Sequence, residues 1–446
     1  MLNIFFVSLG CDKNLVDSEM MLGILRDRGY ELVNDEAEAD IIIVNTCSFI
    51  LDAKEESIET LIEMGMMKEK GRCRLLIAAG CLAERYRDEV FENMPEVDAI
   101  IGTASFDRID DLIRKALGEK GVSYFDALDR MPAPESHRLV PTGSFSEYLK
   151  IAEGCDKHCT YCSIPSMRGP YRSYEMEYLV KQAEDLAASG VKELVLVAQE
   201  TTVYGIDLYG KKMLPELLRR LCGIEELKWI RLLYCYPEEI TQELLAVMRE
   251  EKKICHYLDL PIQHSEDRIL HRMGRRTSRA DLEEKIRMIR EYLPDAVLRT
   301  TLITGFPGET KEEHEALKTF ISHIGFDRLG VFPYSQEEDT PAAAFPDQIP
   351  EEVKQERYDE LMSLQQEIAF EKAREMTGKL VPVIIEGYMP DEGVYAGRTF
   401  RDAPNVDGYV FVSYTGSLMS GDVIDVMITD AQGYDLIGEA AYESAE

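Results

Sequence analysis

The sequence predicts an α/β protein in three parts: an N-terminal parallel α/β domain, a (βα) TIM-like barrel and a small antiparallel β-barrel. Three observations support this. Continuous β-branched runs alternate with amphipathic helical patterns twice, over the first 115 residues and again from Tyr148 past Ile324, as in parallel sheets covered on both faces. After Thr377-Gly378, which reads as a helix end, the pattern becomes short alternating segments separated by Gly, Pro and Asp turns. The length of 446 residues also suits about three domains at ~150 residues each.

In chain order, strands are expected at Asn3 to Ser8, Asp40 to Asn45 and Arg74 to Ala79. Helices are expected at Val16 to Arg28, Ala53 to Met67 and Glu84 to Met94. Residues 1–118 form this first domain, and 119–145, with Pro132, Pro134, Pro141 and Gly143, read as a linker. The barrel is expected over 146–376. Its strands are placed at Tyr148 to Ala152, Glu193 to Ala198, Trp229 to Cys235, His256 to Ile262, Val297 to Ile303 and Arg328 to Tyr334. Helical patterns at Glu175 to Ser189, Pro237 to Glu250, Ser278 to Tyr292, Lys311 to Ile324 and Glu351 to Met376 follow them. Six βα units of similar length, with no switch in direction, favour a partial or complete TIM-like barrel over a doubly wound sheet. The last part, 377–446, has candidate strands at Val381 to Glu386, Val394 to Phe400, Tyr409 to Ser413, Val423 to Ile428 and Tyr434 to Glu439, enough for a five-stranded barrel.

Charge narrows the partners. Fifty Lys and Arg against 83 Asp and Glu leave a net −33, which repels a phosphate backbone and attracts basic partners, so RNA binding is disfavoured. From Gly378 onward, three basic residues (Lys379, Arg398, Arg401) face twelve acidic ones, a local net of −9. No apolar run reaches the ~18 residues of a membrane span. The Leu9-Gly10-Cys11 string resembles a lipoprotein processing site, but no basic residue precedes its short apolar run, so a cytoplasmic protein is expected.

Ten cysteines are too sparse for a disulfide framework in so long a chain. Cys155, Cys159 and Cys162 lie within eight residues directly after the first barrel strand, where barrel active sites form. Three such thiolates suit a [4Fe-4S] cube with one iron left open for a ligand. The competing readings are a zinc site using His158 or three unrelated thiols; zinc spacing normally repeats CxxC, and no second pair exists. Cys11, Cys47 and Cys81 form a second pattern, each following a predicted strand after a small residue. Parallel strands end at one edge, so these thiolates should converge on a second cluster, against the alternative that each is a small buried hydrophobe. Cys73, Cys222, Cys235 and Cys255 lack such context and read as packing. Gly205 to Lys211 mimics a phosphate loop, but Lys212 stands where Ser or Thr must hold magnesium.

A CxxxCxxC loop on the first strand of a βα barrel resembles the radical S-adenosylmethionine (SAM) enzymes. The second triad and five strings look like the methylthiotransferase family within them: Gly10 to Glu19 (GCDKNLVDSE), Asn45 to Ile50 (NTCSFI), Ala53 to Ser57 (AKEES), Glu153 to Asp156 (EGCD) and Ile164 to Gly169 (IPSMRG). The resemblance covers nearly the whole chain and implies a methylthiotransferase domain, a radical SAM barrel and a C-terminal TRAM barrel. Lys13 to Val16, Phe49-Ile50 and Gln199 to Gly205 are closer to the branch that modifies an aspartate of a ribosomal protein than to the transfer-RNA branch. Asp12, Ser48, Glu200 and Tyr174 depart from the usual proline, glycine, aspartate and basic residue; none is one of the six cysteines.

The resemblance further implies two [4Fe-4S] clusters. Cys155, Cys159 and Cys162 would hold the one whose free iron chelates SAM, and its reduction would cleave SAM to methionine and a 5′-deoxyadenosyl radical. Cys11, Cys47 and Cys81 would hold an auxiliary cluster that presents sulfur, with a second SAM supplying the methyl group. Gln199, Glu200, Gln263 and Arg299, at or near barrel strand ends, are candidate SAM contacts, and the Gly305 to Glu309 turn lets backbone approach a ligand.

The expected substrate is the β-carbon of an aspartate on the twelfth small-subunit ribosomal protein, free or assembled. An electron donor and a sulfur source are implied as partners. The alternatives are a methylthiotransferase acting on isopentenyladenosine of transfer RNA, a non-catalytic iron-sulfur cluster carrier and a zinc-binding interaction protein.

Overall fold

The computed structural model describes residues 1–132 and 138–441; residues 133–137 of the expected linker and 442–446 of the last part lie outside the described residues. It forms two compact units. One comprises Met1–Pro141, Ala152–Tyr174 and Ser335–Ala343, and the other Thr142–Ile151, Glu175–Tyr334 and Ala344–Glu446. No described helix is long and apolar enough to cross a membrane.

The first unit is built on a six-stranded parallel sheet of β1 (Asn3–Ser8), β2 (Glu31–Leu32), β3 (Ile41–Thr46), β4 (Leu75–Gly80), β5 (Ala99–Ile101) and β6 (Val122–Tyr124), in the order β2-β1-β3-β4-β5-β6. β3 and β4 are buried at every position, as their unbroken IIIVNT and LLIAAG runs demand of central strands covered on both faces. The order reverses at β1 and β3, a switch point beside which α/β ligand crevices open at the carboxyl ends. Three strands went unforeseen because two or three residues carry no measurable period; β6 lies inside the stretch expected to be linker. The expected helix Glu84 to Met94 is instead two, Cys81–Tyr86 and Asp88–Asn93, broken where Arg87 takes φ +41. A two-stranded pair, β8 (Ala152–Glu153) and β9 (Arg172–Ser173), completes this unit.

In the second unit β7 (Ser146–Lys150), β10 (Glu193–Val197), β11 (Trp229–Leu232), β12 (Ile254–Asp259), β13 (Val297–Thr304) and β14 (Arg328–Pro333) pair in strict chain order, all parallel. Sequential parallel pairing is the topology of a partial TIM-like barrel, not a doubly wound sheet. Ser278 and Thr310 open the helices Arg279–Tyr292 and Lys311–Ile324 with reciprocal capping boxes.

The C-terminal part closes into a barrel of β15 (Leu380–Met389), β16 (Val394–Thr399), β17 (Val410–Ser413), β18 (Val423–Gln432) and β19 (Asp435–Ala440) around Val383, Ile385, Val410, Val412 and Val426. Its pairs are antiparallel except β17 with β19, which run parallel, so the expected antiparallel barrel has one parallel seam. Ion pairs join it to the amino ends of the parallel strands. Arg398 reaches Glu193 at 2.6 Å, Arg328 reaches Asp402 at 2.5 Å and Arg401 reaches Asp327 at 2.9 Å.

Candidate functional site

β1, β3 and β4 are hydrogen-bonded neighbours in register, Ser8 beside Asn45 and Thr46 beside Gly80, so their carboxyl ends emerge side by side. Cys11 caps the helix Asp12–Asp27 that follows β1, Cys47 leaves β3, and Cys81 is the first residue of the helix after β4. Glycines let these turns close. Gly10 has φ +85, and a Cβ there would lie 2.7 Å from Cys47 Cβ and 2.9 Å from its Sγ. Gly80 has φ +87 and no room for a Cβ beside Asn45 Oδ1 and the Thr46 carbonyl.

Side chains from the family-like strings pin the same turns. Asn14 Nδ2 donates to the carbonyls of Leu9 (3.1 Å) and Thr46 (2.9 Å), and Asn45 Nδ2 donates to the Asn14 carbonyl at 2.9 Å. The Cys47 N–H donates to Ser57 Oγ at 2.9 Å, which gives the AKEES string its place. Burial pushes the Cys47 thiol up, against the Phe49 and Ser48 amides that favour its thiolate. Burial likewise pushes the Cys81 thiol up to about 12; Arg168 opposes the shift, while the neighbouring Cys47 and Cys11 add to it.

The second triad lies in the same unit. Gly154, with φ +70, packs without a side chain against the carbonyls of Gly169 and Pro170, and the Cys155 N–H donates to the Gly169 carbonyl at 3.1 Å. Asp156 accepts from the Tyr171 N–H at 3.0 Å, and Cys162 N–H donates to the Cys159 carbonyl at 3.0 Å. Burial pushes the Cys162 thiol up to about 12; the Ile164 amide opposes this and the charges of Cys159 and Cys155 reinforce it.

Among the described residues no three His, Cys, Asp or Glu groups are placed to hold a single metal ion. An iron-sulfur cube makes a different demand, because its thiolates bind separate irons. Two sets of three soft sulfur donors, in turns cleared by glycine, suit such cubes chemically, and the metal would supply the deprotonation that burial opposes.

Three features here were not foreseen. Arg168, at the end of the short helix Ile164–Arg168, is buried and donates to Asp17 at 2.6 Å and to Asn14 Oδ1. Arg85, on the Cys81 helix, donates to the Ser48 carbonyl at 3.1 Å and to the Glu338 carbonyl at 2.7 Å. That strap of residues, Ser335–Ala343, also binds the second cysteine loop through Ala342 N–H to the Thr160 carbonyl at 2.9 Å.

The candidate SAM contacts belong to the second unit. Gln199 and Glu200 lie just beyond β10, and Gln263 lies beyond β12, where it bridges to Leu302 with φ +69. Glu200 accepts from the Thr202 N–H at 3.0 Å. Gln199 Oε1, Gln263 Oε1 and, unforeseen, Thr304 Oγ1 at the end of β13 are buried without a hydrogen-bond partner, as acceptors awaiting a polar ligand would be. Arg299 sits lower, the third residue of β13, and its guanidinium is held by Asp259 at 3.0 Å.

Comparison with known proteins follows the same three-part division. Residues 3–102 match the uncharacterized protein family UPF0004, 149–321 the radical SAM superfamily and 377–441 the TRAM domain. Among solved structures the chain resembles the radical S-adenosylmethionine methyltransferase TsrM of Kitasatospora setae, at TM-score 0.56 and 14% identity over 82% of this chain and 89% of that one. That similarity concerns the fold. The radical SAM match, flanked by the UPF0004 and TRAM matches, sets the class: a radical SAM enzyme. The chain is 58% identical, over 98% of its length and all of the relative's, to the ribosomal protein uS12 methylthiotransferase RimO of Lachnoclostridium phytofermentans. It is 48% identical, over the full length of both, to the protein of that name from Clostridioides difficile. The chain belongs to the RimO family of methylthiotransferases.

Proposed function

We propose that this enzyme adds a methylthio group to the β-carbon of an aspartate in ribosomal protein uS12. Cys155, Cys159 and Cys162 hold one [4Fe-4S] cluster, Cys11, Cys47 and Cys81 hold a second, and two SAM molecules are consumed. The carrying observation is the pair of three-cysteine sites, one at the exits of β1, β3 and β4 and one on the loop after β8, in a chain that matches full-length relatives bearing that activity in their name. Such clusters supply one-electron reduction of SAM, and hence a radical able to remove hydrogen from an unactivated carbon, together with a sulfur to transfer.

The chain's own task is to hold and orient. Gln199, Glu200 and Gln263 orient SAM at the strand ends; Arg299, engaged with Asp259, braces the sheet below them. The functional division follows 1–118, 146–376 and 377–446, with 119–145 connecting the first two and contributing β6 to the first sheet. The reductant and the sulfur source come from outside the chain, in the cytoplasm.

Surface charge supports a basic protein as substrate. Arg398 and Arg401 of the C-terminal barrel turn inward to Glu193 and Asp327, leaving Asp391, Glu392, Asp425, Asp430 and Glu439 exposed. Those exposed carboxylates attract a basic ribosomal protein and repel transfer RNA.

The test incubates the reduced, reconstituted enzyme anaerobically with SAM and uS12. A gain of about 46 Da, H exchanged for SCH3, on an aspartate peptide is expected. The modification appearing in RNA nucleosides would establish the transfer-RNA reading instead, and absence of 5′-deoxyadenosine would leave only a cluster carrier.

A further inference from the structure

Arg168 leaves the loop of one cysteine triad and ends at the other. Its residue is 2% exposed. The guanidinium donates to Asp17 at 2.6 Å and lies 3.4 Å from Glu153, the residue two before Cys155. Its other arm donates to Asn14 Oδ1, the same oxygen to which the Cys81 thiol is hydrogen-bonded at 3.8 Å. Asn14 in turn pins the Leu9 and Thr46 carbonyls, so Arg168 stands beside the turns that carry Cys11, Cys47 and Cys81, while the carbonyl of the adjacent Gly169 accepts from the Cys155 N–H.

Burying a full cation is costly unless it is paired, and Asp17 and Glu153 pair Arg168. Three thiolates on an iron-sulfur cube would add more negative charge, and still more on reduction. Nearby charges in a low-dielectric site set how readily such a centre accepts an electron.

We infer that Arg168 and Asp17 are an opposed pair of positioning residues that set the reduction potential of the centre held by Cys11, Cys47 and Cys81, Arg168 raising it and Asp17 lowering it. The inference rests on the two-cluster reading above. It assigns a role to a residue outside both triads, at a place where sequence order separates the partners by 151 positions.

The test is an EPR-monitored redox titration of the full-length reconstituted chain, repeated with Cys155, Cys159 and Cys162 replaced by Ala so that one centre remains. R168Q removes the cation and unmasks Asp17 and Glu153, so its potential shifts downward. R168K, which keeps the charge without the fork, shifts less than half as far. D17N removes an anion and shifts the potential upward. Opposite signs for R168Q and D17N are a signature that simple loosening of the site does not produce. Shifts of the same sign, or none in either, overturn the inference, and D17N carries the test alone if R168Q fails to fold. If the chain lacking Cys155, Cys159 and Cys162 binds no iron, the two-cluster reading fails and the inference with it; if it binds a cluster indifferent to both variants, only the inference fails.

Discussion

Arg398 of the C-terminal barrel donates to Glu193, the first residue of β10, across 2.6 Å, with both side chains almost fully buried. Arg231 donates to the other oxygen at 2.9 Å. Burial alone would raise the Glu193 carboxyl, but Arg398 and Arg231 outweigh it and hold the group at about 2. A pKa lowered by folding stabilises the protein fully above the unfolded value near 4.5, and that contribution is lost as pH falls towards 2. At roughly 1.4 kcal/mol per unit it amounts to about 3 kcal/mol. R398M is expected to cost about 3–5 kcal/mol at neutral pH by leaving Glu193 partly unpaired, measured as a lowered urea midpoint. E193Q should flatten the acid limb of the stability curve; an unchanged acid limb would show that Glu193 does not control it.

The two triads should separate by function. The wild-type chain is expected to bind about eight iron and eight sulfide. With Cys155, Cys159 and Cys162 replaced by Ala, iron should fall by about half and 5′-deoxyadenosine formation should cease. With Cys11, Cys47 and Cys81 replaced instead, iron falls equally, yet SAM cleavage persists while uS12 gains no methylthio group. Loss of SAM cleavage in both sets would deny the division of labour.

What the sequence made legible follows from how local each signal is. β1, β3 and β4 were readable because their runs of four or five consecutive apolar residues admit few alternatives, whereas β5 and β6 consist of three residues each and carry no period. The CxxxCxxC loop is a local string, and the convergence of Cys11, Cys47 and Cys81 followed from parallel strands sharing an edge. Arg168 was visible only as a letter in a family-like string, because its partner Asp17 is remote in sequence and no spacing rule connects them. Arg299 shows the same limit from the other side. Strand membership was legible, but height along the strand depends on boundaries, and it stands beside Asp259 well before the carboxyl end. The parallel seam between β17 and β19 depends on how the barrel closes, which alternation along a strand does not encode.

Thiol ionisation makes the metal-free protein sensitive to alkali. The folded state holds Cys81 at about 12, chiefly by burial, whereas an unfolded thiol ionises near 9. Above that pH the unfolded chain releases a proton that the folded chain retains, so stability is full below about pH 9 and falls above it. Denaturant midpoints of the metal-free chain should therefore drop between about pH 8 and 10, and C81A should reduce that slope. Cluster loading runs the other way. Because thiolates are the ligands, reconstitution should release protons and proceed faster as pH rises from about 7 to 8.5. A pH-independent rate, with no proton release into weak buffer, would contradict this.

Gly10 offers a substitution that disturbs the Cys11–Cys47 geometry without removing a ligand. Its φ of +85 is unfavourable for a residue with a side chain, and a Cβ there would sit 2.7 Å from Cys47 Cβ and 2.9 Å from Sγ. The left-handed backbone alone costs about 1 kcal/mol or more on replacement by Ala. The steric part cannot be relieved by a flexible side-chain end, because Cys47 is buried and its N–H is tied to Ser57. One of the two turns must therefore move. G10A is expected to lower thermal stability modestly but to lose the iron bound by Cys11, Cys47 and Cys81 disproportionately, leaving SAM cleavage intact. G121A is the control: Gly121 also has a positive φ, +71, but nothing lies within 4 Å of its Cβ position, so it should show the backbone penalty without loss of iron. Equal iron retention in G10A and G121A would mean that the close packing of Gly10 on Cys47 is not what holds the two thiolates in register.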